Sequence, residues 1–521
     1  MRKGADKILK FIERYENLAY GFGLWLATAL FIIFVRDGIE CFISTRHFAF
    51  PDAFHLLHVQ VFFISLLLFI IIILHFSAKT SIQKVSKICL IPFSIILLPV
   101  ILDSLAILLT KSKITYGYIS DNLWLSLLRF SDPSYPIAEL PCSIRLEISL
   151  ITLISFGYIF LKRRKFIPSF LGAMLIYVIC VFYVAIPAVL IEVFKLLAAA
   201  ITFFQIKNFP LPEGVIDENA VVLLQLLATC ILALIWLWRY NRNKFLAVLR
   251  NMRAARSIHY GLLCLLGVLV YCLRYPLQDL FMLIRAAGAI LAVFFAFQFS
   301  VVTNDIFDIE CDKVSNAQRP LITQILDKNE YLVIGYVYLA FSLLFAFWVN
   351  AQCVMITLLF IAFYYLYSAP PLRLKRFFPL SALIIGMQAV FAFAVGNNAL
   401  VLNEAALSSN ANFFWPIFVI FSLASNVKDL KDIEGDKRTG VATLPVLLGN
   451  KTGRSVIAFL LFLSYCLVPY FLHYLFPQAK VLVLSICFAL ISFFYIIRKN
   501  AQEKIIFILY FIYTFLLIVN V

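Results

Sequence analysis

Asn304-Asp305-Ile306-Phe307-Asp308-Ile309-Glu310-Cys311-Asp312-Lys313 packs four acidic side chains into eight residues of a chain that is 63% hydrophobic, directly after the apolar run 286–302. If the preceding helix continues through this stretch, Asp305, Asp308 and Asp312 stand at i, i+3 and i+7. At about 100° per residue all three then fall within an arc of roughly 60°. Like charges that close, at the edge of an apolar segment, are tolerable only with a compensating cation. A solvated helix end is the alternative reading of one such run.

A second copy changes the weighing. Asp429-Leu430-Lys431-Asp432-Ile433-Glu434-Gly435-Asp436-Lys437 repeats the pattern D-x-x-D-I-E-x-D-K of 305–313 and also follows an apolar run, 413–424. A solvated helix end has no reason to recur in that detail. Two facing triads of hard oxygen ligands suit Mg²⁺, which binds carboxylates together with substrate phosphates. The pair therefore reads as a metal-diphosphate clamp. Asp305, Asp308, Asp312, Asp429, Asp432 and Asp436 are its candidate metal ligands, and Asp308, Asp432 and Asp436 the carboxylates on which catalysis is expected to depend.

Here the chain resembles a known family. N-D-I-F-D-I-E-C-D followed by Gln318-Arg319-Pro320 is similar to the first aspartate motif of the UbiA superfamily of intramembrane prenyltransferases, and D-L-K-D-I-E-G-D-K-R-T-G-V-A-T-L-P (429–445) to its second. Between them Tyr367-Ser368-Ala369-Pro370-Pro371-Leu372-Arg373-Leu374-Lys375-Arg376 resembles the family's basic cytoplasmic loop. The resemblance covers roughly 250–521. It implies a nine-helix bundle and Mg²⁺-dependent transfer of a prenyl group from an isoprenyl diphosphate to an acceptor, an aromatic or quinone precursor or a lipid.

Composition points to a membrane independently. Mean hydropathy is +0.96 over 521 residues, and repeated apolar runs of about 17–25 residues match the length a helix needs to cross the hydrocarbon core with its backbone satisfied. Residues 1–20 read as a charged amphipathic helix, and the apolar run 21–35 lacks a small-residue cleavage site, so no cleavable signal peptide is expected. The net charge of +16 fits cytoplasmic loops beside anionic lipid, and no nucleic-acid partner is expected. The eleven cysteines are scattered without a CxxC pair, as small core residues rather than a disulfide framework.

Apolar runs predict spans near 19–35, 56–76, 88–109, 146–161, 167–190 and 220–238, then near 258–273, 280–302, 331–349, 352–367, 380–396, 412–425, 455–472, 481–497 and 504–520. The expected architecture is thus all-α and integral to the cell membrane, with a UbiA-like bundle of nine helices preceded by about six more. Its divisions are an N-terminal multi-span domain at 1–238, a basic cytoplasmic linker at 239–256 and the prenyltransferase domain at 257–521. With a cytoplasmic amino end, about 33 of the 44 Lys and Arg lie inside, together with both aspartate motifs. The acidic loop 213–218 then lies outside.

Prenyl transfer sets three tasks. The leaving diphosphate must be neutralised, the allylic cation sheltered and faced by aromatic rings, and the isoprenoid tail given an apolar path. Asn304, Arg319, Arg373, Lys375, Lys437 and Arg438 are the candidates for diphosphate binding, and Tyr364, Tyr365 and Tyr367 for the cation pocket. Arg253 and Arg256 read first as part of an interfacial helix and second as part of the site. Glu310 and Glu434 point off the triad face, and Gly435, Gly440 and Gly449 fit helix ends turning into loops.

The first half matches no motif. Arg36, Asp37, Glu40, Asp103, Arg145 and Glu147 are ionisable groups in or near spans, costly unless paired. Local pairing is one reading; an acceptor pocket, a lipid path or a module for a membrane partner is another. His55 and His58 at i, i+3 suit a metal, with no further ligand evident in the sequence. Two other functions compete: a terpene cyclase on the same fold, and a cation-coupled transporter. Transport calls for carboxylates near the bilayer midplane and inverted repeats, whereas both motifs here follow the ends of their spans.

Overall fold

A computed structural model describes residues 2–519 apart from 46–51, 111–113, 115, 120–122, 131, 133–134, 136, 138–139, 194–217, 278–280, 402–410, 432, 472–477 and 499–500. Asp432 and most of the acidic loop 213–218 therefore lie outside the described residues. Among the described residues the regular structure is helical throughout, with no strand. Among the described residues twelve helices are long and apolar enough to cross a membrane. They match the expected spans except 19–35, 412–425 and 504–520. Those three fall on helices Phe22–Thr45, Phe414–Ala424 and Glu503–Val519, the last two being only 11 and 17 residues long. The span expected at 88–109 contains Pro92. There the Ile82–Phe93 helix gives way to a 3₁₀ turn at Ser94–Ile96 before Leu97–Thr110 resumes, as a missing backbone donor demands.

The chain divides into two compact units, one of residues 1–245 with 279–281, the other of 246–278 with 282–521. In the first, helix Ala53–Ala78 packs against Phe22–Thr45, Cys142–Arg163, Phe166–Val184 and Glu218–Tyr240. Its core gathers Ile33, Ile71, Val85, Ile159, Ile176 and Val221. The amphipathic Arg2–Glu16 helix is tied in by its last residue: Glu16 accepts from Tyr158 Oη at 2.9 Å and Lys162 Nζ at 2.8 Å.

In the second unit, helix Phe281–Phe307 is largely buried and carries the first acidic motif at its end. Ala254–Cys272 crosses Leu380–Asn398 through glycines. A Cβ on Gly396 would stand 1.8 Å from the Cys264 carbonyl oxygen, and one on Gly267 2.1 Å from that of Phe393. Small residues at such a crossing bring two backbones together where lipid offers no hydrophobic drive for association.

Candidate active site

The first acidic stretch is not one continuous helix. Helix Phe281–Phe307 stops at Asp308, whose backbone (φ −107°, ψ 13°) lies in the bridge region, and a short helix resumes at Ile309–Ser315. The i to i−4 bonds nevertheless persist, Asp308 N–H donating to Asn304 O at 2.9 Å and Asp312 N–H to Asp308 O at 2.8 Å. Asn304, Asp305, Asp308 and Asp312 are all buried. The second stretch departs further: Asp429 lies in a 3₁₀ segment, Ser425–Leu430, and Asp436 in the short helix Ile433–Thr439. The two stretches meet at Gly435, where a Cβ would come within 2.4 Å of Ser315 Oγ and 2.9 Å of Cys311 Sγ. Gly435 thus permits a close crossing of two helices rather than a turn, which corrects the expectation for it. Gly440 and Gly449 do adopt positive φ, 70° and 78°, at helix exits.

Each buried carboxylate has its own partners. Asp305, 2% exposed, accepts from Arg253 Nη2 at 2.6 Å, Asn251 Nδ2 at 2.7 Å, Tyr331 Oη at 2.8 Å and from Arg319. Four donors fill the four acceptor positions of a carboxylate. Asp308 accepts from Arg373 Nη2 at 2.8 Å, from Lys375 and from Asn304. Burial raises its pKa, and Lys375 followed by Arg373 more than reverses this, leaving the carboxyl below its ordinary range. Asp312 accepts from Arg319 and, at 3.1 Å, from Asn316 Nδ2. Burial, with the Asp305 and Asp308 carboxylates beside it, lifts this carboxyl to about 6 against the pull of Arg319. Asp429 is paired with Lys428 Nζ at 2.8 Å.

The basic loop and the chain after the second motif are joined by a backbone bond from Ala442 N–H to Arg376 O at 2.9 Å. Arg373 and Arg253 both hold left-handed backbones, φ 42° and 49°. That conformation costs an L-residue roughly 1–2 kcal/mol, offset here by the ion pairs their side chains make.

These groups surround a polar cavity of about 70 Å³ lined by Arg253, Arg256, Asn304, Asp308, Asp312, Arg319, Lys375, Lys428, Asp429, Lys431 and Asp436, among others. Among the described residues six cationic side chains there face four carboxylates. Arg256, Asn304, Tyr367 and Lys428 also line a second, largely apolar cavity of about 280 Å³, walled by Leu263, Phe297, Tyr364, Ile417, Leu461, Tyr510 and Leu517 and their neighbours. A charged chamber and an apolar one thus share a wall.

Most of the residues singled out in the sequence are brought together. Asn304, Asp308, Asp312, Arg319, Lys375, Asp429 and Asp436 line the polar cavity, while Asp305 and Arg373 stand behind it as partners of lining residues. Lys437 and Arg438 are exposed and line neither cavity, as does Tyr365, which is 47% exposed; Tyr364 and Tyr367 are buried and line the apolar cavity. Glu310 and Glu434 are exposed, as helical geometry places them. Asn251, Tyr331 and Lys428 were not anticipated, and Arg253 and Arg256, read first as interfacial, are in the site. Arg256 donates to Glu503 at 2.5 Å, reaching the last helix. Only the adjacency of Lys428 to Asp429 was visible in the sequence; the others come from distant segments.

Residues 262–516 match the UbiA prenyltransferase family. Three archaeal digeranylgeranylglyceryl phosphate synthases are similar. That of Methanocaldococcus jannaschii is 30% identical over 31% of this chain and 54% of its own length, that of Pyrococcus furiosus 27% over 41% and 73%, and that of Thermococcus sibiricus 30% over 39% and 69%. The chain thus spans about half the length of the first of them. Among solved structures, a UbiA homologue from Archaeoglobus fulgidus bound to GPP and Mg²⁺ aligns at 22% identity with 53% of this chain and 97% of that one, TM-score 0.42. The chain belongs to the UbiA prenyltransferase family. By class it is a multi-pass membrane protein of that family, and the matched residues other than 279–281 lie in the second unit.

Proposed function

We propose that the second unit binds the diphosphate of an isoprenyl diphosphate with Mg²⁺ in the polar cavity, on the cytoplasmic side, and transfers the prenyl group to an acceptor of the glyceryl phosphate class. The observation that carries this is the shared wall between the charged cavity and the apolar one, which fits an anionic head joined to an isoprenoid tail. The relatives that make digeranylgeranylglyceryl phosphate favour that acceptor class. The excess of basic residues on the side of both motifs supports the cytoplasmic placement.

The donor set fits Mg²⁺: Asp308, Asp312, Asp429 and Asp436 offer hard oxygens on one cavity, and buried Asp312 has carboxylate neighbours whose repulsion a cation would relieve. Asp432, from the second triad, is proposed with them. When bound, Mg²⁺ neutralises charge developing on the leaving diphosphate. Asp305, its acceptor positions filled, holds Arg253 and Arg319 in place. Arg256, Arg319, Lys375 and Lys428 place positive charge around the diphosphate, and Arg373 holds Asp308. In the transfer the C1–O bond of the donor breaks with its electron pair leaving on diphosphate. An acceptor hydroxyl oxygen bonds C1, and its proton passes to the departing diphosphate. Tyr364 and Tyr367 face that carbon's cavity with electron-rich rings.

The test uses full-length protein in lipid vesicles, with isoprenyl diphosphates of several lengths, a glyceryl phosphate ether acceptor and a Mg²⁺ titration, products being read by mass. Asp308→Asn and Asp436→Asn should each lower transfer on the order of a thousandfold, with the double variant little worse than either. Near-normal transfer by either single variant at unchanged protein level would overturn the clamp. A cyclised hydrocarbon formed without acceptor would replace transfer by cyclisation.

A further inference from the structure

In the first unit, helices Phe22–Thr45 and Ala53–Ala78 bring together Asp37, Cys41 and His55, one ligand atom of each lying within 4.8 Å of the others. We propose that these three residues form a zinc-binding site that pins the end of one helix to the start of the next.

Asp37 and Cys41 are one helical turn apart and share a face. His55 is held from its backbone, since Asp52 Oδ1 accepts its N–H at 2.8 Å as the cap of the second helix. Its Nε2 approaches Asp37 Oδ1 to 2.9 Å. Asp37 is 0% exposed, with the His55 imidazole 2.9 Å from its Oδ1 and, among the described residues, no hydrogen-bond donor on its Oδ2. A buried carboxylate with one oxygen unpartnered is costly, and a cation relieves that cost. The adjacent guanidinium of Arg36 does not serve, being paired with Glu40.

The donor chemistry selects the cation. One thiolate and one carboxylate carry two negative charges, and a neutral imidazole adds none, so a divalent ion balances the set. Nitrogen, sulfur and oxygen together are a zinc ligand set, whereas Mg²⁺ and Ca²⁺ take oxygen alone. Three protein ligands leave a tetrahedral ion one further position. His58, one turn beyond His55, points elsewhere, its Nε2 standing 2.6 Å from Tyr118 Oη. The site therefore draws two of its three protein ligands from helix Phe22–Thr45, which no local spacing around the histidines announces.

The test takes full-length protein in detergent with excess Mg²⁺ to occupy the aspartate motifs. After chelation, Zn²⁺ or Co²⁺ is added back. Wild type should retain one zinc ion per chain through dialysis, and its Co²⁺ form should show a thiolate-to-metal charge-transfer band. Cys41→Ser should abolish the band, Cys142→Ser should leave it, and Asp37→Asn or His55→Ala should weaken binding at least about tenfold. Should Cys41→Ser fold poorly, alkylation of wild-type Cys41 gives a second readout: Zn²⁺ should slow it, and His55→Ala should remove that protection. Absence of the band, its persistence in Cys41→Ser, or alkylation equally fast with and without zinc would overturn the proposal.

Discussion

The two acidic stretches share D-x-x-D-I-E-x-D-K and are built differently. In the first, an apolar helix runs to Phe307, breaks at Asp308 and resumes, leaving Asp305, Asp308 and Asp312 buried against cationic partners drawn from residues 253, 319, 373 and 375. In the second, a 3₁₀ segment replaces the helix. Asp429 is buried beside Lys428 from its own segment, and Asp436 is only half-buried. Identical spacing therefore does not mean identical duty. The first stretch draws its counter-charges from distant segments; the second has Lys428 of its own segment beside Asp429 and is held to the first by the crossing at Gly435.

That dependence on one glycine is the sharpest way to break the comparison. Gly435→Val would put branched carbons where Ser315 and Cys311 already stand, forcing the Ile433–Thr439 helix away from Ile309–Ser315. Overpacking of this kind costs roughly 1–3 kcal/mol, and a displacement near 1 Å at a reacting centre costs about a hundredfold in rate. Transfer should fall by about that much, with Mg²⁺ affinity reduced as well. Wild-type activity and Mg²⁺ dependence in Gly435→Val would mean that the two stretches do not act as one site.

How far the sequence could carry this is visible residue by residue. Spans were legible because lipid demands about twenty apolar residues wherever a helix crosses. The acidic repeat was legible because charge is rare in such a chain. The break at Asp308 was not, since the residues on either side keep a helical pattern while the backbone steps out of it. Nor were Asn251 and Tyr331, neutral residues 54 and 26 positions from the Asp305 they contact. Lys437 and Arg438 were selected for their place beside Asp436, but the short helix that carries them turns both outward.

Asp305→Asn sharpens the contrast within the first stretch. With all four acceptor positions occupied, Asp305 holds Arg253 and Arg319 in place rather than facing the cavity. The amide keeps the shape and one acceptor but loses the charge that draws two guanidinium groups. A charge-assisted hydrogen bond contributes about 1.5–3 kcal/mol, so transfer should drop between about tenfold and a hundredfold. Mg²⁺ affinity should change little, since the proposed ligands are untouched. Loss of Mg²⁺ binding as complete as in Asp308→Asn would make Asp305 a ligand and reverse the assignment.

The smallest effect is expected at Lys437 and Arg438, which the sequence places beside Asp436 and the structure turns to the exposed side of their helix. Neither lines the polar cavity, whose positive charge comes from Arg253, Arg256, Arg319, Lys375, Lys428 and Lys431. A charge in that position meets the diphosphate only through water and salt, and exposed substitutions away from packing or pairing are close to neutral. Lys437→Ala and Arg438→Ala should therefore leave transfer within about twofold of wild type, whereas Lys428→Ala, removing the ammonium beside Asp429, should lower it by tenfold or more. Measuring all three at low and high salt separates the cases. A loss at Lys437 or Arg438 that disappears in high salt is long-range attraction of the anionic substrate. One that persists would require the Ile433–Thr439 helix to rotate when diphosphate binds, carrying those side chains into the cavity and making the second stretch the moving half of the site.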